Sequence, residues 1–334
     1  MARILHFADL HLDRSFAGPG MTAAEADRRR AELRAALVRI VDFALDLDVD
    51  LLTVGGDLYE HDRTTSDTGR FVAQQFQRLA PRKVLVAPGN HDPFVAGSLY
   101  DRIQWPENVH VFKQAGWTPL QAAGVTVWGA GHTDPALRKN LLCELRLPAS
   151  QAAVALLHAA DSATARIGRD DHCPFDAADI EQCGAAFVLL GHDHRLRVSP
   201  PGAPRYAYPG SPEPLGFFTE GPHYVLLLTM NGQGPCVEPI EISQVTYRTA
   251  HLDVTPHSSP RAILRRLRDL AHDLSPRAIV RAVLTGQRPP GLHLDAARLR
   301  AAAAGWFRYL EVVDATIELS AREVAPCESS CLVG

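Results

Sequence analysis

Five short polar motifs in the N-terminal part of the chain carry side chains that could bind metal ions. The motifs are Asp9-Leu10-His11, Gly56-Asp57, Gly89-Asn90-His91-Asp92, His158 and Gly191-His192-Asp193-His194. Carboxylate and amide oxygens, together with imidazole nitrogens, are ligands for divalent transition metals such as manganese, iron or zinc. Eight such donors are too many for one ion, which takes about four to six ligands. The motifs therefore predict two ions that share one carboxylate.

Each motif directly follows an apolar run that is typical of a buried strand. The runs cover residues 3–8, 50–54, 83–87, 153–157 and 186–190, and helical periodicity occupies residues 22–44 and 67–79 between them. This alternation predicts an α/β fold with helices on the faces of the sheet. Ligands of open α/β sheets bind at the carboxyl ends of the strands, so the five motifs are expected to converge there. Because strand side chains alternate between faces, Asp9 and His11 are expected to face the same ion while Leu10 packs away from it.

Composition limits the class of protein. The 334 residues exceed one ordinary domain of ~100 to 200 residues, and 46% of them are hydrophobic. No apolar run approaches the ~18 residues of a membrane helix, and Asp9 and Asp13 interrupt any signal-peptide core. Six cysteines are scattered without a CxxC spacing in a chain too long to need disulfides. We therefore expect a protein of the reducing cytoplasm that does not contact membranes.

The C-terminal part of the chain differs from the rest in charge and in pattern. Net charge is −4, yet residues 251–320 hold ten arginines and no lysine against seven acidic residues. Strands are predicted at 251–254, 278–285 and 309–319, with helices at 260–272 and 294–304. The expected division is a main domain over 1–245, a small α+β cap over 246–320, and a tail over 321–334 that contains Cys327 and Cys331. On charge alone, the arginines of the first cap helix fit either a phosphate backbone or a solvated helix face, and they are Arg261, Arg265, Arg266 and Arg268.

In its five motifs the sequence resembles the calcineurin-like metallophosphoesterases. The resemblance implies a sandwich of two sheets flanked by helices, which hydrolyses phosphoesters with two divalent ions, manganese first and iron or zinc as alternatives. It implies that one ion is held by Asp9, His11, Asp57 and His194, and the other by Asp57, Asn90, His158 and His192. It further implies that His91 protonates the leaving oxygen or stabilises the charge of the transition state. Glu60, three positions after the bridging Asp57, is the expected carboxylate that orients His91.

Segments that extend beyond the metal-binding residues favour one substrate class. The opening segment 3–13, the Pro-Gly-Asn-His-Asp sequence and the Pro-rich segment 208–217 resemble the SbcD-type DNA repair exonuclease subunit. This resemblance implies cleavage of DNA and an SbcC-like coiled-coil ATPase as a partner, and it leaves a homodimer open. Two alternatives remain at this point: a small-molecule or cyclic-nucleotide phosphodiesterase, and a catalytically idle DNA-binding scaffold. His91 disfavours the idle scaffold, and the cap favours a polymeric substrate.

Overall fold

The computed structural model describes residues 1–16, 21–148, 152–164, 171–255 and 259–319. The expected tail, with Cys327 and Cys331, lies outside these described residues. The chain divides into two compact units. The first comprises Met1–Leu215 and Pro222–Ser243, and the second comprises Gly216–Gly221 with the chain from Gln244 onward. Among the described helices, none combines the length and the apolar character of a membrane-spanning segment.

The first unit is built on two six-stranded sheets. In chain order its strands are β1 (Ala2–Phe7), β2 (Leu51–Val54), β3 (Lys83–Val86), β4 (Val109–Val111), β5 (Thr118–Ala122), β6 (Val125–Gly129), β7 (Ala153–His158), β8 (Phe187–Gly191), β9 (Arg197–Ser199), β10 (Tyr206–Tyr208), β11 (Tyr224–Asn231) and β12 (Gly234–Glu241). One sheet has the order β12-β11-β1-β2-β3-β4, and the other has the order β5-β6-β7-β8-β10-β9. The central strands β1 to β4 are parallel to one another, as are β6, β7, β8 and β10.

Helices cover the outer faces of the sheets. They are α1 (Ala23–Asp46), α2 (Ser66–Gln77), the single turn α3 (Leu99–Arg102) and α4 (Ala177–Gln182), with a 3₁₀ turn at Leu142–Glu144. The side chain of Thr22 caps α1 by accepting a hydrogen bond from the Glu25 N–H. Leu33, Leu37 and Ile40 recur at helical spacing and are fully buried, so α1 presents one apolar face to the first sheet.

Three apolar layers hold the first unit together. Alternate strand residues such as Ile4 and Leu85 from one sheet meet Val154 and Leu189 from the other, and these fill the space between the sheets. Their neighbours in sequence point outward, where Leu5, Phe7 and Val84 pack under α1 and α2. Leu157, Leu190 and Ile180 form the equivalent layer beside α4. The predicted fold class, two sheets sandwiched between helices, is confirmed.

The second unit contains β13 (Thr246–Asp253), α5 (Pro260–Asp273), β14 (Ala278–Thr285), β15 (Gln287–Arg288), α6 (Ala296–Ala302), β16 (Tyr309–Asp314) and β17 (Ile317–Glu318). The main sheet has the order β13-β14-β16 with all three strands parallel. Ile263 and Leu267 of α5 and Leu299 of α6 pack with Val280 and Leu284 in one cluster. Because residues of both helices pack against the same strand residues, α5 and α6 lie on the same face of this sheet.

Candidate metal centre

All five polar motifs lie at the carboxyl ends of strands of the first unit. Asp9 and His11 follow β1, Asp57 follows β2, and the Asn90-His91 pair follows β3. His158 is the last residue of β7, and the His192 motif follows β8. The converging strands belong to both sheets, so the site spans the edge of the sandwich rather than the edge of one sheet.

The backbone at Asp9 and His11 is not that of a strand, so strand alternation does not determine where their side chains point. β1 ends at Phe7, and both residues have left-handed backbones, with φ of 55° and 50°. The Asp9 N–H donates to Gly56 O at 3.0 Å and the His11 N–H donates to Asp57 O at 2.9 Å, so the two loops run side by side. The strand alternation used in the sequence analysis to align Asp9 and His11 therefore does not apply to them, although Leu10 does pack into the core. Strained left-handed residues of this kind concentrate at functional sites.

The first group of donors consists of Asp9, His11, Asp57 and His194, whose ligand atoms all lie within 4.8 Å of one another. His11 Nε2 is 3.2 Å from His194 Nε2 and 3.6 Å from Asp57 Oδ2. His194 Nε2 is 3.8 Å from Asp9 Oδ1. Ligand atoms that lie ~2.0–2.2 Å from one ion stand roughly 3.0–3.6 Å apart at angles of about 90–110°. The two distances from His11 Nε2 fall within this range, so these donors can face a single cation.

The second group surrounds the ring of His158. Its Nε2 is 3.0 Å from Asn90 Oδ1, 3.3 Å from His192 Nδ1 and 3.5 Å from Asp57 Oδ2. The same oxygen of Asp57 thus faces His11 Nε2 on one side and His158 Nε2 on the other. One carboxylate oxygen placed between two sets of donors is the arrangement that a pair of bridged ions requires.

Hydrogen bonds on the far side of two rings fix the nitrogen available to a metal. His11 Nδ1 donates to Glu60 Oε1 at 2.9 Å, and His158 Nδ1 donates to Gly55 O at 2.8 Å. Each bond places the ring proton on Nδ1 and leaves the lone pair on the inward Nε2. Burial also lowers the pKa of His158 well below its usual value. A neutral ring with an inward lone pair is the form that binds metal.

Two buried carboxylates make the centre electrostatically unfavourable without cations. Asp9 and Asp57 are at most 1% exposed. Burial, and then the charge of Asp57, raises the pKa of Asp9 well above its usual value. Burial alone would raise the pKa of Asp57 too, but the rings of His158, His11 and His91 hold it well below the usual range. Two cations would satisfy both carboxylates, so the donor set fits the metal ions that the family implies.

His91 lies within hydrogen-bond distance of Glu60, the carboxylate three positions after Asp57. His91 Nδ1 lies 2.8 Å from Glu60 Oε2, and its backbone N–H donates to Asp57 Oδ1 at 2.9 Å. Burial lowers the pKa of His91, but the hydrogen bond to Glu60 and the charge of Asp57 raise it to about 9. The side chain is 43% exposed, which suits a group that must reach a substrate. Glu60 therefore supports both His11 and His91, whereas the sequence had indicated only His91.

Asp92 has a function that the sequence analysis did not recognise. This fully buried carboxylate accepts hydrogen bonds from the N–H groups of Asp57 at 2.9 Å, Leu58 at 2.8 Å and Gly89 at 2.6 Å, and from the Tyr100 hydroxyl at 2.6 Å. Burial, with the charge of Asp57, raises its pKa to about 7. Asp92 holds the loop of Asp57 against the loop of Asn90 and His91. Its place in the Gly-Asn-His-Asp motif was the available signal.

The predicted DNA-contacting arginines lie on α5 of the second unit. Arg261, Arg265 and Arg268 are exposed and Arg266 is half-buried. The Arg268 guanidinium lies 5.2 Å from the centroid of the Trp306 ring, so its own unit holds it in place. The structure gives no acidic partner for Arg261, Arg265 or Arg266 among the described residues.

Comparison with known proteins assigns the family. The model of the calcineurin-like phosphoesterase family matches residues 2–196. An uncharacterised metallophosphoesterase of Bacillus subtilis, YhaO, is 28% identical over 302 residues, which cover 86% of this chain and 72% of YhaO. The DNA double-strand break repair protein Mre11 of Haloferax volcanii is 28% identical over 204 residues, which cover 58% of this chain and 42% of Mre11.

Solved structures also match, at low identity. TT1561 of Thermus thermophilus is 16% identical with a TM-score of 0.42, and the match covers 72% of this chain and 99% of that one. A novel archaeal phosphodiesterase is 12% identical with a TM-score of 0.39, with coverage of 71% and 99%. Because the family model spans more than half of the sequence and includes all five motifs, the chain belongs to the calcineurin-like phosphoesterase family.

Proposed function

We propose that the protein is a two-metal nuclease that hydrolyses phosphodiester bonds of DNA, in the manner of an SbcD-type repair exonuclease or endonuclease. The observation that carries the proposal is the position of Asp57 Oδ2, 3.6 Å from His11 Nε2 and 3.5 Å from His158 Nε2. In this proposal Asp57 would contribute a ligand to both ions. Asp9, His11 and His194 complete one site, and Asn90, His158 and His192 complete the other.

The side chains at the centre have separate tasks in this proposal. The bound ions, manganese first with iron or zinc as alternatives, would neutralise the phosphate and activate the attacking water. Glu60 keeps the proton of His91 on Nδ1 or balances the charge of the imidazolium. A protonated His91 then delivers a proton to the leaving oxygen as a general acid. Asp92 fixes the position of the Asp57 loop relative to the His91 loop by accepting hydrogen bonds from backbone N–H groups of both loops.

A polymeric substrate is supported by the second unit and by one relative. The exposed arginines of α5 supply positive charge of the type that binds phosphate backbones. Mre11, which matches over 58% of this chain, is named as a DNA double-strand break repair protein. DNA is therefore the proposed substrate and partner, with an SbcC-like coiled-coil ATPase and a second copy of the chain as further proposed partners. The described cysteines are all free, which suits a reducing cytoplasm.

The test is a comparison of substrates in the presence of manganese. Labelled single-stranded and double-stranded DNA are incubated with the purified protein, and bis-p-nitrophenyl phosphate is assayed in parallel. Cleavage of DNA that is lost on chelation supports the proposal. Hydrolysis of the small ester alone would favour a small-molecule or cyclic-nucleotide phosphodiesterase. Binding of DNA without hydrolysis of either substrate would favour the scaffold.

A further inference from the structure

The segment that follows His158 folds into a loop beside the second group of donors. The Ala160 N–H donates to His172 O at 3.0 Å, and the Phe175 N–H donates back to Ala160 O at 3.0 Å. The Ser162 N–H donates to Phe175 O at 2.9 Å. Residues 165–170 lie outside the described residues, but the two arms of the loop are joined at its base. His172 occupies a defined position at the end of the second arm.

Arg197 fastens the first arm of this loop to the segment after β8. Its Nη1 forms an ion pair with Asp161 Oδ2 at 2.8 Å and donates to Thr164 Oγ1 at 3.1 Å. The guanidinium lies 4.8 Å from the centroid of the Tyr208 ring, and the Tyr206 hydroxyl donates to the same Asp161 oxygen at 2.8 Å. A bonded and stacked arginine is a rigid connection. The loop is therefore fixed to the segment that carries His192 and His194.

The second arm has its own attachment. The Cys173 N–H donates to Leu137 O at 2.8 Å, and Asp171 forms an ion pair with Arg138. These contacts lie on either side of His172 in sequence. The backbone of His172 is thus held from both directions.

The ring of His172 lies next to a predicted ligand of the second ion. Its centroid is 5.6 Å from that of His192, with the planes inclined at 66°. The residue is half-exposed, but its Nδ1 is buried and accepts no hydrogen bond from the described residues. Buried N–H groups without an acceptor are rarer in proteins than buried acceptors without a donor, so we place the ring proton on Nε2. With this proton, His172 carries an N–H donor beside the second group of metal-binding side chains, and it is not itself one of the predicted metal ligands.

We propose that His172 is a substrate-contacting residue that donates a hydrogen bond from Nε2 to a phosphate oxygen of the phosphodiester, on the side of His192. The proposal rests on the proposed two-metal hydrolysis and adds a substrate contact from outside the five motifs. The ion pair between Arg197 and Asp161 holds the loop, and therefore the His172 ring, in position.

The experiment compares three variants with the wild type, all loaded with manganese. His172→Ala removes the donor, and His172→Gln keeps an amide N–H close to the position of Nε2. His110→Ala is the matched control, because His110 is also half-buried, but it lies on β4 with its ring edge-on to Phe112 at 4.8 Å. Metal content, the affinity for inorganic phosphate by calorimetry, and kcat/KM on bis-p-nitrophenyl phosphate are measured.

We expect His172→Ala to keep two metals per chain while its phosphate affinity and kcat/KM both fall by roughly 10- to 100-fold, the effect of one hydrogen bond to a charged group. His172→Gln should recover part of the loss, and His110→Ala should behave as the wild type. Unchanged phosphate affinity in His172→Ala would overturn the proposal, as would loss of a metal ion, which would make the residue a support for His192. A wild-type protein that binds no pair of metals would instead refute the proposed function itself.

Discussion

Replacing Asp92 by asparagine would test how the two central loops of the metal centre are held together. Asp92 Oδ1 accepts from the N–H groups of Asp57 and Gly89, and Oδ2 accepts from the Leu58 N–H and the Tyr100 hydroxyl. Asparagine has only one acceptor oxygen. If that oxygen keeps the position of Oδ1, the new NH₂ group opposes the N–H of Leu58, while the Tyr100 hydroxyl can rotate to accept.

One buried N–H therefore loses its partner in Asp92→Asn, which costs about 1 to 3 kcal/mol. For a unit of this size the thermal midpoint should fall by about 2 to 12 °C. Scanning fluorimetry at pH 8, above the pKa of about 7 for Asp92, measures the shift with the wild-type carboxylate ionised. We also expect weaker metal binding, because the loop of Asp57 loses part of its support.

Tyr100→Phe is the matched control for this prediction. It removes one hydroxyl donor but leaves the three backbone N–H groups bonded to Asp92. Its midpoint should therefore fall less than that of Asp92→Asn. Equal midpoints for Asp92→Asn and the wild type, or a larger loss in Tyr100→Phe, would refute the claim that the carboxylate joins the two loops.

Two further predictions concern the general acid and the cap. His91→Ala should retain two metal ions but lose about 10²- to 10⁴-fold in kcat. Because a general acid must be protonated, the wild-type rate should fall as pH rises through the pKa of His91, which is about 9 without metal and lower beside cations. The rate of the variant should not show this fall. Loss of metal in that variant would make His91 a ligand. Replacing Arg261, Arg265 and Arg266 together by alanine should weaken DNA binding at all sequences and reduce its salt dependence by about one unit of slope per lost phosphate contact, while hydrolysis of bis-p-nitrophenyl phosphate is unchanged. Equal loss on both substrates would assign these arginines to folding, and no loss on DNA would assign them to a solvated helix face.

The motifs of the site could be located from the sequence because each one follows an apolar strand. Carboxyl ends of parallel strands meet at one edge of a sheet, so Asp57 and Asn90 come together, and His158 joins them from the same end of the other sheet. What the pattern could not supply was the division of those strands between two sheets. Strands that are buried on both faces have similar apolar sequences in either sheet, because long-range packing determines which strands pair with each other.

The backbone geometry of the predicted metal-binding residues was harder to predict from the sequence than their identity. The alternation used to align the side chains of Asp9 and His11 does not extend past the end of β1 at Phe7, and their left-handed backbones are held by bonds to Gly56 O and Asp57 O in a distant loop. Asp92 and His172 carry no periodic signal, since their surroundings are assembled from separate loops. In the second unit, β13 begins at Thr246 rather than at 251, because its early residues pair with Ala278 and Ile279 of β14. Such pairing is a property of the folded chain and not of the local sequence.

The most direct test of the account is the metal content of Asp57→Ala, measured by native mass spectrometry and elemental analysis after loading with manganese. Asp57 Oδ2 faces both groups of donors, so its removal takes a ligand from each ion. The control is Asp62→Ala, a change at an exposed aspartate five positions further along the chain. The wild type and this control should bind two ions per chain. Asp57→Ala should bind neither ion tightly and should hydrolyse no phosphodiester. Two tightly bound ions in Asp57→Ala would contradict the bridged two-metal centre.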